Sequence, residues 1–430
     1  MNILYVNHYA GSLSLGMEFR PYYLAREWVK AGHRVRIIGA SFSHLRVKQP
    51  MVSKDFEIQR IDGIEYQWVK TCSYGHNGVA RAISMFQFCG KLLWHAEEIA
   101  EEFCPDVVIG SSTYTFDTYP CQRIRNFSNK LKKSSKSDDK ALNNRKASPH
   151  CLYIHENHDI WPLTLTSIGG MNPRHPFCLL NEAGLKSALK QADEVVCVLP
   201  FAYEYFKEFG FTDMKRFHHI PNGVALEDWE HPETLPEEHK KIFVKLQGKF
   251  VVLYVGGHAL SNRLELLIEV AEKLRDHKEI AFVLVGNGVE KDKLMSIAAE
   301  KDCSNVYFLP AVNKKAVPTL LSYGSVLYVG AEASPITQYG AGLNKVYDYM
   351  MASKPVLYAV SSPNQEVADA GCGWVSPSDD AELIYENILQ ATELSCEELR
   401  VIGNRGREWV LNNCEYKALA NKFISLICGK

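Results

Sequence analysis

Residues 334–357 read SPITQYGAGLNKVYDYMMASKPVL, and the fold is decided in this stretch. A Gly/Ser/Pro-rich loop runs into a helix predicted to begin near Leu343, and a Lys-Pro pair then opens an apolar strand. A loop entering a helix aims unpaired backbone N–H groups and the positive end of the helix dipole at one point, which makes an anion site. Gly340 and Gly342 let backbone approach a ligand, and Asp348, about one turn into the helix, can accept hydrogen bonds from paired hydroxyls. Diphosphate beside ribose suits that arrangement; a plain structural turn is the simpler alternative.

Outward from this stretch the same theme repeats: an apolar strand ending in glycine, then a helix. The second half carries VVLYVGG (251–257), AFVLVGNG (281–288), NVYFLP (305–310), SVLYVG (325–330) and PVLYAV (355–360). In the first half strands are predicted at 3–6, 35–38, 107–109, 152–154 and 195–198, with a helix through RPYYLAREWVKAGH between the first two. Short apolar runs alternating with amphipathic stretches predict parallel sheets covered by helices, that is, two doubly wound Rossmann-like α/β domains. Such folds bind ligands beyond the carboxyl ends of their strands. The expected division is an N-terminal domain at 1–200, a linker at 201–245, a C-terminal domain at 246–410 and a closing helix at 411–430 that returns to the first domain.

Bulk properties narrow the class. A chain of 430 residues suggests two domains. The formal net charge of −2 gives no nucleic-acid signature, and no apolar run is long enough to span a bilayer. The start, MNILYVNHYAG, reads as a strand rather than a signal peptide. Twelve cysteines without a C-x-x-C pair read as reduced, mostly buried thiols of a cytosolic protein.

Several residues are candidates for chemistry. Gly256-Gly257-His258 follows a strong strand, and Asn262 and Arg263 stand where they can reach phosphate oxygens. Gly286 and Gly288 follow the next strand, but neither pair completes a dinucleotide fingerprint, so a nicotinamide enzyme is the weaker reading. His155-Glu156-Asn157-His158-Asp159 ends a first-half strand. Proton handling or hydroxyl binding fits it better than a metal, because HExxH spacing and a partner cluster are both missing; a hydrogen-bonded loop cap is the alternative. The opening loop, with Gly11, Gly16, Glu18 and Arg20, is a candidate acceptor-side element, although Glu18 and Arg20 can equally cap and pair on the first helix. Residues 127–149, FSNKLKKSSKSDDKALNNRKASP, are polar and basic and are expected to form a mobile insertion. A helix from Arg81 carries Ile83, Phe86, Gly90, Leu93 and Trp94 on one stripe, with Arg81 and Lys91 beside it as candidate lipid-phosphate contacts.

Together these pieces resemble the retaining GT-B glycosyltransferases of family 4. The resemblance rests on HIPNGVALEDW (219–229), VLVGNGVEKDKL (283–294), NVYFLPAVNKKAVPTLLSYGSVLYV (305–329) and AGCGWVSPSDDAELI (370–384), in this order. The first half, through NHYAGSLSLGMEFRPYYLAREWVKAGHRV, ASFSHLR and HDIWPLTLTSIGGMNPRHPF, is more similar to bacterial O-antigen L-fucosamine transferases. The resemblance implies two GT-B domains facing a central cleft. It implies sugar transfer from a nucleotide-diphosphate donor, expected to be UDP-linked, to a polyprenyl-diphosphate-linked saccharide at the inner face of the cytoplasmic membrane. No cofactor or metal is expected, and no nucleic-acid partner. In the family two carboxylates eight residues apart mark the donor site: the second falls on Asp348, whereas the first falls on Gly340, a true departure. Asn344 and Lys345 match the diphosphate contacts, and the family's basic pair aligns imperfectly with Gly257 and Asn262 or Arg263. The first-domain histidine matches His158, with His155 second and Asp159 adjacent. A GT-B sugar-nucleotide epimerase and a non-catalytic nucleotide-sugar-binding protein are the alternatives.

Overall fold

The computed structural model describes residues 1–75, 78–138 and 150–429. The chain divides into two compact units, one of Met1–Pro221 with Tyr416–Lys430, the other of Asn222–Glu415.

In unit 1 the strands among the described residues are β1 (Asn2–Val6), β2 (Arg34–Ala40), β3 (Glu57–Ile61), β4 (Ile64–Val69), β5 (Val107–Gly110), β6 (Leu152–Asn157), β7 (Glu194–Cys197) and β8 (Phe217–His219). They form one sheet in the order β3-β4-β2-β1-β5-β6-β7-β8. All pairings are parallel except β3–β4, a hairpin closed by Asp62-Gly63, both at positive φ. Central β1 is buried almost throughout, while edge strand β3 leaves alternate residues exposed, as expected of strands covered on both faces and of an edge strand. The helix Arg20–Lys30 crosses back from β1 to β2 and packs against the closing helix Tyr416–Cys428: Trp28 Nε1 donates to Ala420 O at 3.0 Å, and Tyr23 stacks on Tyr416.

Unit 2 contains β9 (Phe250–Val255), β10 (Ile280–Val285), β11 (Val306–Leu309), β12 (Val326–Gly330), β13 (Val356–Ala359) and β14 (Gly373–Ser376), all parallel, in the order β11-β10-β9-β12-β13-β14. The strand order reverses at β9/β12, the place where doubly wound sheets leave a crevice. The sequence IAFVLV of β10 is buried at every position, which is why it shows no alternation. One face packs against the helices Asn344–Met351 and Cys396–Asn413 through residues such as Leu253, Val283 and Met350. The other packs against Leu264–Lys273 and Ala381–Thr392 through Phe282, Leu267 and Ile388. Each fully buried aliphatic side chain of this kind contributes about 1.5–3 kcal/mol.

Two sequence expectations need correction here. The expected linker at 201–245 is structured: it includes the helix Ala202–Lys207, strand β8 and the helix Glu237–Lys245, and the units divide at Pro221/Asn222. Aromatic packing of Tyr203, Phe206, Phe211 and Phe217 holds its first part in unit 1, a cluster that helical or strand periodicity does not register. The expected mobile insertion at 127–149 begins as helix, because Thr118–Asp138 is one continuous element. Asn129 makes two hydrogen bonds to the main chain of Cys151, and Lys132 pairs with Asp106 at 2.6 Å. The rest of that expectation, residues 139–149, lies outside the described residues.

Candidate active site

In unit 2 the loops after β9 and β10 meet. Gly256 N–H donates to Val285 O, and His258 N–H donates to Asn287 O. A Cβ on Gly286 would lie 1.8 Å from Gly256 O, so only glycine permits this approach. Lys345, in the first turn of the helix Asn344–Met351, is brought to the same place. Its Nζ lies 3.1 Å from Tyr254 Oη, bonds Asn262 Oδ1, and sits 4.7 Å from the centroid of the Tyr254 ring. Asn262 in turn donates to Gly257 O at 2.9 Å. No carboxylate neutralises Lys345 among the described residues, and burial pushes its pKa down to about 8.

His258 stands beside this lysine, inaccessible to solvent, with neither ring nitrogen hydrogen-bonded. Burial first, then the charges of Lys291 and Lys345, push its pKa down to about 4, so it is neutral at physiological pH. Lys291 Nζ bonds only neutral oxygens, those of Gly286, Leu309 and Asn287. Two lysines without acidic partners, beside the N–H groups of Asn344 and Lys345 at the helix start, form a site of positive potential suited to an oxyanion.

Asp348 lies one turn further along the same helix and accepts from Lys314 Nζ at 2.6 Å. Asn344 opens the helix, and Gly340 in the preceding loop is buried at φ +115°. That conformation disfavours any side chain, so a carboxylate at position 340 would need a different backbone. Arg263 is a correction to the sequence reading: its Nε lies 3.3 Å from Glu265 Oε1, so its charge is already paired, and Lys345 is the cation at the glycine turn. Sequence reading missed Tyr254, His258, Lys291 and Lys314. His258 directly follows the glycine pair, the one signal that marked it.

In unit 1 the candidate residues separate. The strand period of two sends His155 and Glu156 to opposite faces of β6. His155 is buried with both ring nitrogens unpaired, and burial pushes its pKa down to about 4, so it is a neutral interior side chain. His158, just beyond β6, is mostly covered; its Nε2 lies 2.7 Å from Ser111 Oγ and 3.3 Å from Glu156 Oε2. Burial alone would lower its pKa, but the hydrogen bond and charge of Glu156 raise it. Asp159 is exposed beside it.

The acceptor-loop expectation also changes. Arg20 is buried and its Nε donates to Glu156 Oε1 at 2.9 Å, so it is a structural cation. Glu18 Oε1 accepts from Arg20 N–H at the helix start. Gly11 N–H donates to Glu18 O, and Gly16 bridges to Ser12 and Arg46, which folds the loop on itself. Sequence reading missed Ser111, Tyr5 and Asp117. Asp117 accepts from Ser112 N–H, and burial pushes its pKa up to about 7. Arg81 and Lys91, expected to face lipid, bond Tyr9 Oη and Asp55 instead. No group of three or more His, Cys, Asp or Glu among the described residues is placed to hold a metal ion.

Comparison with known proteins places these units. Residues 236–409 match the family described as Glycosyl transferases group 1. The chain is 28% identical over 114 residues to WcaI of Escherichia coli K12, named as a colanic acid biosynthesis glycosyl transferase. It is 29% identical over 184 residues to the alpha-1,3/1,6-mannosyltransferase alg2 of Schizosaccharomyces pombe. These matches span 26% and 42% of this chain but only 25% and 33% of the relatives' lengths. Among solved structures, sucrose-phosphate synthase from Thermosynechococcus elongatus aligns with TM-score 0.70 and 14% identity, over 100% of this chain and 99% of that one. HepE of Anabaena, solved with UDP and glucose, aligns with TM-score 0.66 and 13% identity over the full length of both. The fold is therefore that of GT-B structures, two Rossmann-like α/β units, and residues 236–409 are similar in sequence to group 1 glycosyl transferases.

Proposed function

We propose that the protein is a retaining glycosyltransferase. It moves a sugar from a nucleotide-diphosphate donor to a polyprenyl-diphosphate-linked saccharide during synthesis of a surface polysaccharide such as O-antigen or capsule. The observation that carries the reading is Lys345: a half-buried cation without an acidic partner, at a helix start, over a glycine turn, with Asp348 one turn beyond. A diphosphate supplies the missing negative charge, and the ribose of the same nucleotide offers hydroxyls to Asp348. HepE, of the same fold, was solved with UDP, which supports UDP as the nucleotide. An N-acetylated deoxyamino sugar such as L-fucosamine is the donor sugar this reading favours.

In the reaction the bond from C1 of the sugar to the diphosphate oxygen breaks as the acceptor oxygen bonds to C1 on the same face. The acceptor's proton passes to the departing phosphate. Negative charge grows on the diphosphate, so Lys345, Lys291 and the helix-start N–H groups bind the transition state more tightly than the ground state. The residue of unit 1 assigned to the reaction is His158. This chemistry uses no metal or cofactor.

The enzyme works at the inner face of the cytoplasmic membrane. Val79, Ile83, Phe86 and Trp94 form an exposed apolar stripe on the helix Val79–Trp94, which supports interfacial binding. No described helix is long and apolar enough to cross a membrane. Co-sedimentation with vesicles should rise with anionic lipid and fall with salt; equal recovery in the supernatant with neutral and anionic vesicles would remove the membrane claim.

Calorimetry with UDP, followed by a screen of nucleotide-sugar donors with and without a lipid-diphosphate-linked saccharide, tests the function. Acceptor-dependent product supports transfer. Conversion of a UDP-sugar without acceptor would instead favour an epimerase, and nucleotide binding without turnover a binding protein.

A further inference from the structure

Unit 1 contains a buried chain of polar groups that runs from His158 to the point where the polypeptide leaves the unit. Glu156 is wholly inaccessible, and both its oxygens are occupied. Oε1 accepts from Arg20 Nε at 2.9 Å; Oε2 accepts from Ser111 Oγ–H at 2.6 Å and from Tyr5 Oη–H. Arg20 also donates to the carbonyl oxygens of Ile220 and Pro221, the last two residues before unit 2 begins.

Proton counting along this chain has one solution. An ionised carboxylate only accepts, and a serine hydroxyl has one proton to give. Ser111 spends it on Glu156 at 2.6 Å, since its other acceptor, Tyr5 Oη, is further away at 3.3 Å. Ser111 Oγ must therefore accept from its remaining close partner, His158 Nε2 at 2.7 Å. Nε2 then carries the ring hydrogen, and Nδ1, which bonds no described residue, keeps its lone pair when the ring is neutral.

We propose that Glu156, acting through Ser111, is the positioning residue that fixes His158 in the Nε2–H form and leaves Nδ1 for the reacting group. This rests on the reading of His158 as the unit 1 residue at the reaction. The carboxylate stays ionised in this role, since Arg20, His158 and Ser111 hold its pKa well below the ordinary range although burial alone would raise it. The charged and titratable groups that share His158's surroundings are Glu156 and His155 on β6, Arg20 on the first helix, Glu18 before it, Asp117 after β5, and the adjacent Asp159.

The proposal is tested by side-chain ¹⁵N NMR of histidine-labelled full-length protein across pH, with His158 assigned by the His158→Gln variant. The wild type should show the Nε2–H tautomer and a midpoint above that of a free imidazole. In Glu156→Gln the amide N–H donates to Ser111 Oγ, which turns the serine proton onto His158 Nε2. The tautomer should invert to Nδ1–H and the midpoint should fall. Ser111→Ala should retain Nε2–H, because Nε2 already lies 3.3 Å from Glu156 Oε2. An Nδ1–H ring in the wild type overturns the proposal, and this holds even where Glu156→Gln does not fold around the unpaired Arg20. An unchanged tautomer in folded Glu156→Gln overturns it too.

In turnover, Glu156→Gln should lower kcat on the order of 100-fold, the scale of a misoriented group at the reacting centre, while the Kd for UDP stays within about twofold. Equal kcat for Glu156→Gln and wild type would overturn the proposal. Tautomer inversion in a protein whose wild type transfers no sugar would support the positioning and overturn the functional reading instead.

Discussion

Replacing Lys345 with methionine removes one charge from the glycine turn with little change in side-chain length. Lys345 has no acidic partner to leave stranded, and Tyr254 Oη and Asn262 are its polar contacts. The variant should therefore fold, with a melting temperature unchanged or raised, because even partly covering an uncompensated charge costs stability. Nucleotide binding should suffer. A charge-assisted hydrogen bond contributes about 1.5–3 kcal/mol, so the Kd for UDP should rise about 10- to 150-fold. The wild type should also show a pH dependence that the variant lacks. Burial sets the free lysine near pKa 8, and a bound diphosphate restores it toward or above the ordinary lysine value. Binding then takes up about half a proton at pH 8, and affinity falls as pH rises through 8, by about tenfold between pH 7 and 9. Calorimetry in buffers of different ionisation enthalpy measures both quantities. A wild-type Kd that is flat from pH 7 to 9, or a Lys345→Met variant that binds UDP as the wild type does, would refute the anion-site reasoning.

Asp348→Asn should weaken UDP binding by roughly 1–3 kcal/mol through lost hydrogen bonds to ribose; unchanged affinity in calorimetry would remove the ribose assignment. His158→Ala should lower kcat strongly with nucleotide affinity nearly intact, because the proposed nucleotide contacts belong to unit 2. A variant that transfers sugar at the parental rate would dismiss His158. Asn129→Ala deletes both hydrogen bonds to the Cys151 main chain and should cost about 1–3 kcal/mol of stability in denaturant unfolding. A loss within error would show that this part of the helix is held by other contacts.

Much of the fold was legible because the strand–glycine–helix unit recurs, and its apolar runs are long enough to mark parallel strands buried on both faces. The hairpin β3–β4 escaped notice although Asp62-Gly63 is a two-residue turn signal between alternating strands; its polar face hid the pattern. The polar composition of 127–138 suggested a loop, yet the side chains that anchor this helix, Asn129 and Lys132, are themselves polar. The turn from the loop at Gly340 into the helix Asn344–Met351 was readable because its parts are adjacent in the chain. The Arg20–Glu156 pair was not, since its members stand 136 positions apart. For the same reason Lys314 beside Asp348, 34 positions away, left no local trace. Arg263 looks like the cation at the glycine turn in sequence, because charge and position along the chain do not reveal that Glu265 is already paired with it.

The central claim is that a nucleotide-bound sugar leaves this protein on an acceptor. Mass spectrometry of reactions containing a panel of UDP-sugars, with and without a polyprenyl-diphosphate-linked saccharide, addresses it directly. The account predicts a lipid-linked product heavier by one glycosyl residue, formed only with acceptor, released with stoichiometric UDP, and carrying the donor's anomeric configuration. Isomerised donor in the absence of acceptor, or no product from any donor despite tight UDP binding, would contradict it.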